Sequence, residues 1–432
     1  MKTNIKDIRV GSCCEISGWI EKIREQKTML FIILRDRTGR IQVTIDKEKM
    51  QKQAKLLSEL LKESVIRVKG KAIEAECVKL GKIEFIPTEV IVESVAENIP
   101  ISADSSSELK MDYRWIDLRN ERKRLIFEIR TFVEHTMREY FVKHGFIEIH
   151  SPKITSQCSE GGAEVFRVDY YGQKAYLTQS PQFYKQMAMA SGFEKVFEIG
   201  PYYRAEKSYT PRHTAESTCV DFEIADITSH HEIMDFEEDW IIYVLRKTKE
   251  KYGEVIKEVF NTEISLPKGK IPRIKLCDVF KIFKEVYGIE TPEAKQLDLD
   301  PDAEKLICDY ARDYLGSELI FITDYPAEAR AFYSKKSSKD SLECMSLDLL
   351  YRGWEMNSGA VREHRYEELK GQIEDKGIDS DKLKDYLEFF KYGCPPHGGI
   401  GLGLDRFVAK LLDLPSIKDA IYVFRGPNRL KP

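Results

Sequence analysis

Residues 197–223 read FEIGPYYRAEKSYTPRHTAESTCVDFE, and this stretch decides how the chain is read. Two apolar runs of β-type residues flank a polar loop, the pattern of an antiparallel hairpin. Arg204, Glu206, Arg212 and His213 fall at the ends of its arms and along its tip. Cations fixed on such a frame suit a polyphosphate, because charge-assisted bonds to phosphate are the strong ones. Activating a carboxylate with a nucleotide builds negative charge on the α-phosphate, and cations set in advance stabilise it.

Further along, GLGLDR at 401–406 supplies close-packed glycines and a cation. Gly401 and Gly403 permit close backbone approach. Arg406 falls in the first turn of an expected helix, where a flat guanidinium can stack on a purine. Asp348 and Glu355 lie seven apart and are expected at one end of a strand, facing phosphates. Mg²⁺ takes few carboxylates and completes its shell with water and phosphate oxygens, so the pair suits a nucleotide site.

The chain as a whole sets the frame. Its 432 residues are too many for one small domain and suit two or three. A hydrophobic content of 42% with 32% charged residues fits a water-soluble globular protein. Net charge is −4, but residues 1–98 hold 19 Lys+Arg against 15 Asp+Glu, a mildly basic front compatible with a polyanion. Nine cysteines without a C-x-x-C pair point to reduced thiols and the cytoplasm, not to a disulfide frame or a zinc site. No apolar run approaches membrane-spanning length, and the first residues lack the apolar core of a secretion signal.

Residues 8–98 read as about five short strands at 14–23, 29–36, 40–46, 65–74 and 82–95, with a helical patch at 47–61. That content suits a small closed barrel of the OB type. Phe31 and Gln42 lie on neighbouring strands of it. Barrels of this kind stack single-stranded bases on aromatics and read their edges with amides; alternation alone favours a core place for Phe31. Residues 99–124 begin polar, with three consecutive serines, and are expected as a linker. A long helix is expected over 125–144 and another over 230–252, the latter burying Ile233, Phe236, Trp240, Ile241 and Val244. Residues 253–340 read as a helical insertion with a strand-like piece at 318–322. The fold class is therefore α+β: a barrel over 1–98, a linker over 99–124, and a larger domain over 125–432.

The hairpin and GLGLDR, in this order, resemble motifs 2 and 3 of the class II aminoacyl-tRNA synthetases. QSPQFYK at 179–185 narrows the resemblance to the aspartyl-tRNA synthetases of the archaeal and eukaryotic type. YRWIDLRN at 113–120 resembles that family's linker, and GFIEIHSPKI at 145–154 its motif 1, with Pro152 in place and a homodimer implied. The match runs from Gly18-Trp19 to Arg429-Leu430. It implies an N-terminal OB-fold domain that grips the anticodon and a catalytic antiparallel sheet flanked by helices.

The resemblance also implies roles. Lys185 and Arg362 would hold the side-chain carboxylate of L-aspartate, with Glu160, Ser180, Gln182, Arg204, Asp221 and Ser358 fixing its other polar atoms. Asp221 fits a structural cap or turn equally well. Glu160, followed by Gly161-Gly162, would ride on a loop that closes over the substrate. ATP would fall to Arg204, Ala205 and Glu206, to Arg212, His213 and Thr214, to Glu355, and to Gly403, Leu404, Asp405 and Arg406. Arg204 and Arg406 would be catalytic. Asp348, Glu355 and Ser358 would hold Mg²⁺, and Phe31 and Gln42 would meet the anticodon of tRNA(Asp), with tRNA(Asn) left open.

Three departures stand out. Val361 replaces a usual glutamine, Ser217 a frequent adenine-stacking aromatic, and VFRGPNRL at 423–430 the usual Phe-Pro-Arg-Asp run. An asparaginyl-type enzyme, a tRNA-independent asparagine-forming relative and a non-catalytic paralogue are the rival readings. Lys185 speaks against a neutral-amide pocket, and the barrel against a tRNA-independent enzyme.

Overall fold

A computed structural model describes residues 2–156, 164–208, 210–338 and 341–432. The chain divides into two compact units, Met1–Glu121 and Arg122–Pro432.

In the first unit, strands β1 (Cys13–Glu25), β2 (Met29–Arg35), β3 (Arg40–Asp46), β4 (Val65–Glu74) and β5 (Ile83–Ser94) close a barrel in the order β1-β2-β3-β5-β4. Helix α1 (Gln51–Ser58) joins β3 to β4. Alternate residues point inward, as period-2 geometry requires. Ile16, Ile20, Leu30, Ile32, Leu34, Val43, Ile45, Ile66, Val68 and Phe85 fill the centre with no exposed surface.

The stretch expected as a bare linker is more ordered than its composition suggests. It folds as α2 (Ser107–Asp112) and α3 (Arg114–Asp117). One serine of the triplet is a helix cap: Ser106 Oγ accepts from Leu109 N at 3.2 Å. Arg35 anchors the stretch to the barrel, donating to Arg119 O at 2.9 Å and pairing with Glu63 at 2.8 Å.

The second unit opens with α4 (Glu121–Lys143), which starts four residues before the expected 125. Then come β6 (Ile147–Glu148), β7 (Ile154–Thr155), β8 (Arg167–Tyr170), β9 (Gln173–Leu177), α5 (Gln182–Ala190), β10 (Lys195–Tyr203), β11 (Glu216–Ala225) and α6 (His230–Phe260). Beyond them lie β12 (Arg273–Lys275), α7 (Leu276–Tyr287), α8 (Pro301–Leu315), β13 (Leu319–Thr323), β14 (Ser346–Tyr351) and β15 (Trp354–Arg362). The chain ends through α9 (Tyr366–Asp375), α10 (Lys384–Glu388), β16 (His397–Gly403), α11 (Leu404–Leu411) and α12 (Ile417–Ala420).

Eight strands form one sheet in the order β12-β13-β14-β15-β16-β11-β10-β6. Its central pairs, from β13 through to β10, are antiparallel. The segment expected as a helical insertion does supply α7 and α8, but it also gives β12 and β13 to this sheet. Helix α6 runs eight residues past its expected end. It is fixed at its start by a capping box between Ser229 and Glu232 and closed by Asn261 in the left-handed conformation.

The two faces of the sheet have opposite characters. Val220, Phe222, Leu347, Leu349, Val361, Ile400 and Leu402 join the core that α4 and α6 cover. Val361, one of the departures, is therefore a core residue. The alternate positions of the same strands face the other way and carry the polar side chains described next.

Candidate active site

Strand register gathers the site. Asp221 on β11 lies opposite Gly401 on β16, Gly401 opposite Ser358 on β15, and Ser358 opposite Asp348 on β14. Two residues along each strand, on the same face, come Glu223, Gly399 and Ala360, and then Arg362 opposite His397. The glycines of β16 are a steric necessity here. A Cβ on Gly399 would fall 2.0 Å from Phe222 O and 2.5 Å from Glu223 Oε2, and one on Gly401 would fall 2.8 Å from Asp221 Oδ1. Two carboxylates thus lie directly over the glycine strand.

Lys185 and Arg362 meet on those carboxylates. Lys185, on α5, places Nζ 3.0 Å from Asp221 Oδ1, 3.3 Å from Glu223 Oε2 and 2.9 Å from Ile400 O. Arg362 Nε donates to Glu223 Oε1 at 2.9 Å, and Nη2 donates to Gly399 O at 2.9 Å. Glu223, which sequence reasoning did not single out, is the shared counter-ion and is wholly buried. Burial pushes its pKa up, but Arg362 and Lys185 outweigh that and hold it below the usual range. For Asp221 burial wins and its pKa rises despite Lys185. Asp221 is thus a partner of Lys185 inside the pocket, not a turn residue. Two cations and two carboxylates thus meet in the buried site, with burial opposing the charge on Asp221.

Sequence reasoning also passed over the layer behind this pair. His397 Nδ1 lies 2.8 Å from Pro395 O, and its Nε2 lies 3.0 Å from Gln186 Nε2. The first must be an N–H donor and the second an acceptor, so the ring is neutral, as burial favours. Tyr386 OH donates to Gln186 Oε1 at 2.9 Å and closes the chain. Gln182, on the first turn of α5, is buried, and its Nε2 has no bond among the described residues. An orphaned buried donor is what a bound acceptor would satisfy. Ser180 Oγ accepts from Gln182 N at 3.4 Å. Glu160 lies outside the described residues.

The phosphate-type cations sit on the β10–β11 hairpin, as the sequence implies. Arg204 directly follows β10, with more than half of its side chain exposed and Glu206 Oε1 3.9 Å away. Ala205 N donates to Glu164 O, and Thr214 Oγ1 donates to Glu216 O. His213 Nδ1 is 2.6 Å from Thr210 Oγ1, and burial with nearby arginines lowers its pKa. Arg212 is held by Glu304 of α8 at 2.7 Å, a partner with no signature in the sequence. The C-terminal run braces this loop through main chain: Ala215 N donates to Arg425 O at 2.8 Å and Ile417 N to Pro211 O at 3.0 Å. Backbone contacts are indifferent to side-chain identity, so the departure at 423–430 leaves them in place.

Arg406 is in the first turn of α11, with Nη1 3.5 Å from Glu355 Oε1. Two residues of that turn are structural instead. Leu404 is buried in the core, and Asp405 is buried between Arg130 Nη1 at 2.5 Å and Thr218 N at 2.8 Å. Their side chains are already occupied, which leaves only their main chain for a nucleotide. Gly403 makes an ordinary approach to Arg406.

Asp348 and Glu355 occupy two strands, not one end of a single strand. Pairing passes from Leu349↔Asn357 to Leu350↔Glu355, so β15 carries one extra residue there. Burial and the neighbouring Asp348 raise the Glu355 pKa to about 7. Asp348 Oδ2 accepts from Arg330 Nη2 at 2.6 Å, while its Oδ1 is buried with no bond among the described residues. Arg330 Nη1 also donates to Ser358 Oγ at 2.8 Å, so in this state Ser358 serves Arg330. No group of three or more His, Cys, Asp or Glu able to hold a metal occurs among the described residues. The orphaned Asp348 oxygen and the crowded Glu355 carboxyl do fit an ion bound by two carboxylates and phosphate oxygens.

In the first unit, Phe31 stands on the outside of the barrel, half-buried, with Arg24 Cζ 4.8 Å from its ring centroid. The core is filled by its neighbours Leu30 and Ile32, which overturns the core place that alternation favoured for Phe31. Phe31 pairs with Thr44 and Ile33 with Gln42 across β2 and β3. Gln42 Nε2 donates to Thr44 Oγ1 at 3.2 Å, which donates to Glu84 Oε2 at 2.6 Å. A ring and a chain of polar groups thus share one outer face.

The family described as tRNA synthetases class II (D, K and N) matches residues 106–424. The chain belongs to the class II tRNA synthetases. The description OB-fold nucleic acid binding domain matches residues 14–93. This class II synthetase is 40% identical over 429 residues to an aspartate–tRNA(Asp) ligase of Pyrococcus abyssi, covering 98% of this chain and 97% of that protein. It is 38% identical to an aspartate–tRNA(Asp/Asn) ligase of Aeropyrum pernix, covering 99% and 97%. Among solved structures, the asparaginyl-tRNA synthetase from Pyrococcus horikoshii complexed with asparaginyl-adenylate superposes with a TM-score of 0.88 at 28% identity, over 100% of both chains. The aspartyl-tRNA synthetase from Entamoeba histolytica gives 0.86 at 25% identity, over 100% of this chain and 93% of that one.

Proposed function

We propose that this class II synthetase is an aspartate–tRNA ligase. The observation that carries the reading is the pair of buried cations, Lys185 and Arg362, sharing Glu223. A pocket that presents two buried cations favours a side-chain carboxylate over a neutral amide. The names of the full-length relatives support the same choice.

In the first step, the aspartate α-carboxylate attacks the α-phosphorus of ATP, giving aspartyl-adenylate and pyrophosphate. Arg204 meets the charge that grows on the α-phosphate. Arg212 and His213 hold the outer phosphates, Glu206 accepts from the adenine amino group, and Arg406 stacks on the ring. Asp348 and Glu355 would hold Mg²⁺, which would neutralise phosphate charge. In the second step, the terminal adenosine hydroxyl of tRNA attacks the adenylate, through positioning and electrostatics. Phe31 and Gln42 meet the anticodon. The working form is a homodimer in the cytoplasm, joined through the motif 1-like segment; no described helix is long and apolar enough to cross a membrane.

Relatives named for tRNA(Asp) alone and for both tRNA(Asp) and tRNA(Asn) occur at similar identity, 36–40%, so charging of tRNA(Asn) is a second, narrower reading. Charging transcripts of each tRNA with labelled aspartate tests both. Aspartate ester on tRNA(Asp) is expected; ester on neither transcript contradicts the ligase reading.

A further inference from the structure

Beside the phosphate cations lies a cavity of about 400 Å³ that has no part in the reading above. Arg212, Lys305, Lys410 and Trp354 are among its lining residues. Two observations make it continuous with the nucleotide site. Arg212 belongs to both. Lys410 is four residues beyond Arg406 on α11, one turn further along the same helix face.

The charge in this cavity is not balanced. Arg312 pairs with Asp309 at 2.6 Å and Arg352 with Glu318 at 2.9 Å, which cancels those four. Arg212 is offset by Glu304. Among the described residues, no carboxylate lies within ion-pair distance of Lys305 or Lys410, Asp413 acting on Lys410 only from further off, and Asp302 is the one remaining acid of the lining. Lys410 Nζ lies 4.6 Å from the Trp354 ring centroid, and Arg212 Cζ lies 5.4 Å from it. An indole beside Lys410 leaves that lysine's positive charge uncompensated, unlike a carboxylate. Burial also lowers the Lys410 pKa, so an anion would be the missing partner.

We propose that this cavity receives the inorganic pyrophosphate expelled during adenylation and passes it to solvent. The proposal rests on the ligase reading. As the carboxylate–phosphorus bond forms, the bond from the α-phosphorus to the bridging oxygen breaks, and pyrophosphate leaves with the electron pair. Beside Arg212 the same cavity offers Lys410 and the exposed Lys305. Each holds the anion weakly enough to release it, because part-exposed charge pairs are modest and screened.

The test uses the full-length protein carrying Lys410→Ala or Lys305→Ala. Enzyme-bound aspartyl-adenylate is mixed with pyrophosphate, and ATP re-formation is followed. The pyrophosphate concentration for half-maximal rate should rise about 5–10-fold in Lys410→Ala and less in Lys305→Ala, while the KM for ATP in the forward direction stays within twofold. Lys305 is exposed, so its variant keeps the test open if Lys410→Ala misfolds. Calorimetric titration with pyrophosphate alone, without aspartate, should show the same order of weakening. A parallel rise in the ATP KM would place both lysines in the nucleotide site and overturn the proposal, as would no change in either constant. A wild-type enzyme that forms no adenylate but binds pyrophosphate with lysine dependence would overturn the ligase reading and leave the anion site standing.

Discussion

Arg362 Nε sits 2.9 Å from Glu223 Oε1, between side chains that are 4% and 0% exposed. The fork is only partly used: Nε and Nη2 are engaged by Glu223 and Gly399 O, and Nη1 makes no bond among the described residues. A substrate carboxylate would find its donors in Nη1 and Lys185 Nζ. Arg362→Leu should lower kcat/KM for aspartate in adenylate formation by roughly 10–150-fold, the worth of one charge-assisted bond of ~1.5–3 kcal/mol. The same variant leaves Glu223 with Lys185 alone, so its melting temperature should also fall. Aspartate activation within a few-fold of wild type would remove Arg362 from the pocket.

Arg204 should act mainly on the transition state. Its side chain is more exposed than those of the pocket cations, so its loss should leave the fold intact. Arg204→Ala is expected to lower the adenylation rate by about 10²–10³, comparable to losing one preorganised donor. Rapid-quench measurement with saturating ATP and aspartate reads this directly, and a wild-type rate would exclude the role.

Glu237 should make stability depend on pH. It is wholly buried on α6, and burial raises its pKa from 4.5 to about 8, with an opposing bond from Asn357 and a further push from Asp348. The folded state therefore holds a proton that the unfolded state releases at lower pH. The stability this lends is complete below about pH 4.5 and is lost as pH rises through about 8. Glu237→Gln should flatten that part of the curve and melt higher than wild type at pH 9, by an amount on the order of a few kcal/mol. Melting curves from pH 6 to 9 that superpose for the two proteins would show that Glu237 is not protonated in the fold.

Phe31→Ala should leave the barrel standing, because Leu30, Ile32 and Leu34 fill its core. Base–aromatic stacking is worth about 1–3 kcal/mol, so tRNA charging should weaken by roughly 5–150-fold. Adenylate formation, which needs no tRNA, should hardly change. A large drop in melting temperature, or undiminished charging, would count against the anticodon role.

Much of this was legible in the sequence because period and punctuation carry it. β3 and β4 fall where alternating apolar residues end at turn signals, and the hairpin of Arg204 and Arg212 lies between its two runs. What was not legible depends on register across distant strands. Glu223 and Arg362 are 139 residues apart and meet because both flank β16. Glu304 comes from a segment whose composition reads only as helix. The side-chain partner of Asp405, Arg130, lies 275 residues away. Ser106 reads as linker because a cap and a loop favour the same residue types.

The central claim is that two buried cations select a carboxylate side chain for activation. Exchange of labelled pyrophosphate into ATP, run with aspartate and with asparagine at equal concentration and no tRNA, tests it most directly. Exchange with aspartate is expected, with a preference of about 10⁴ or more over asparagine, since the amide would leave Lys185 and Arg362 poorly paired. Exchange that asparagine supports as well as aspartate, or exchange with neither, would contradict it.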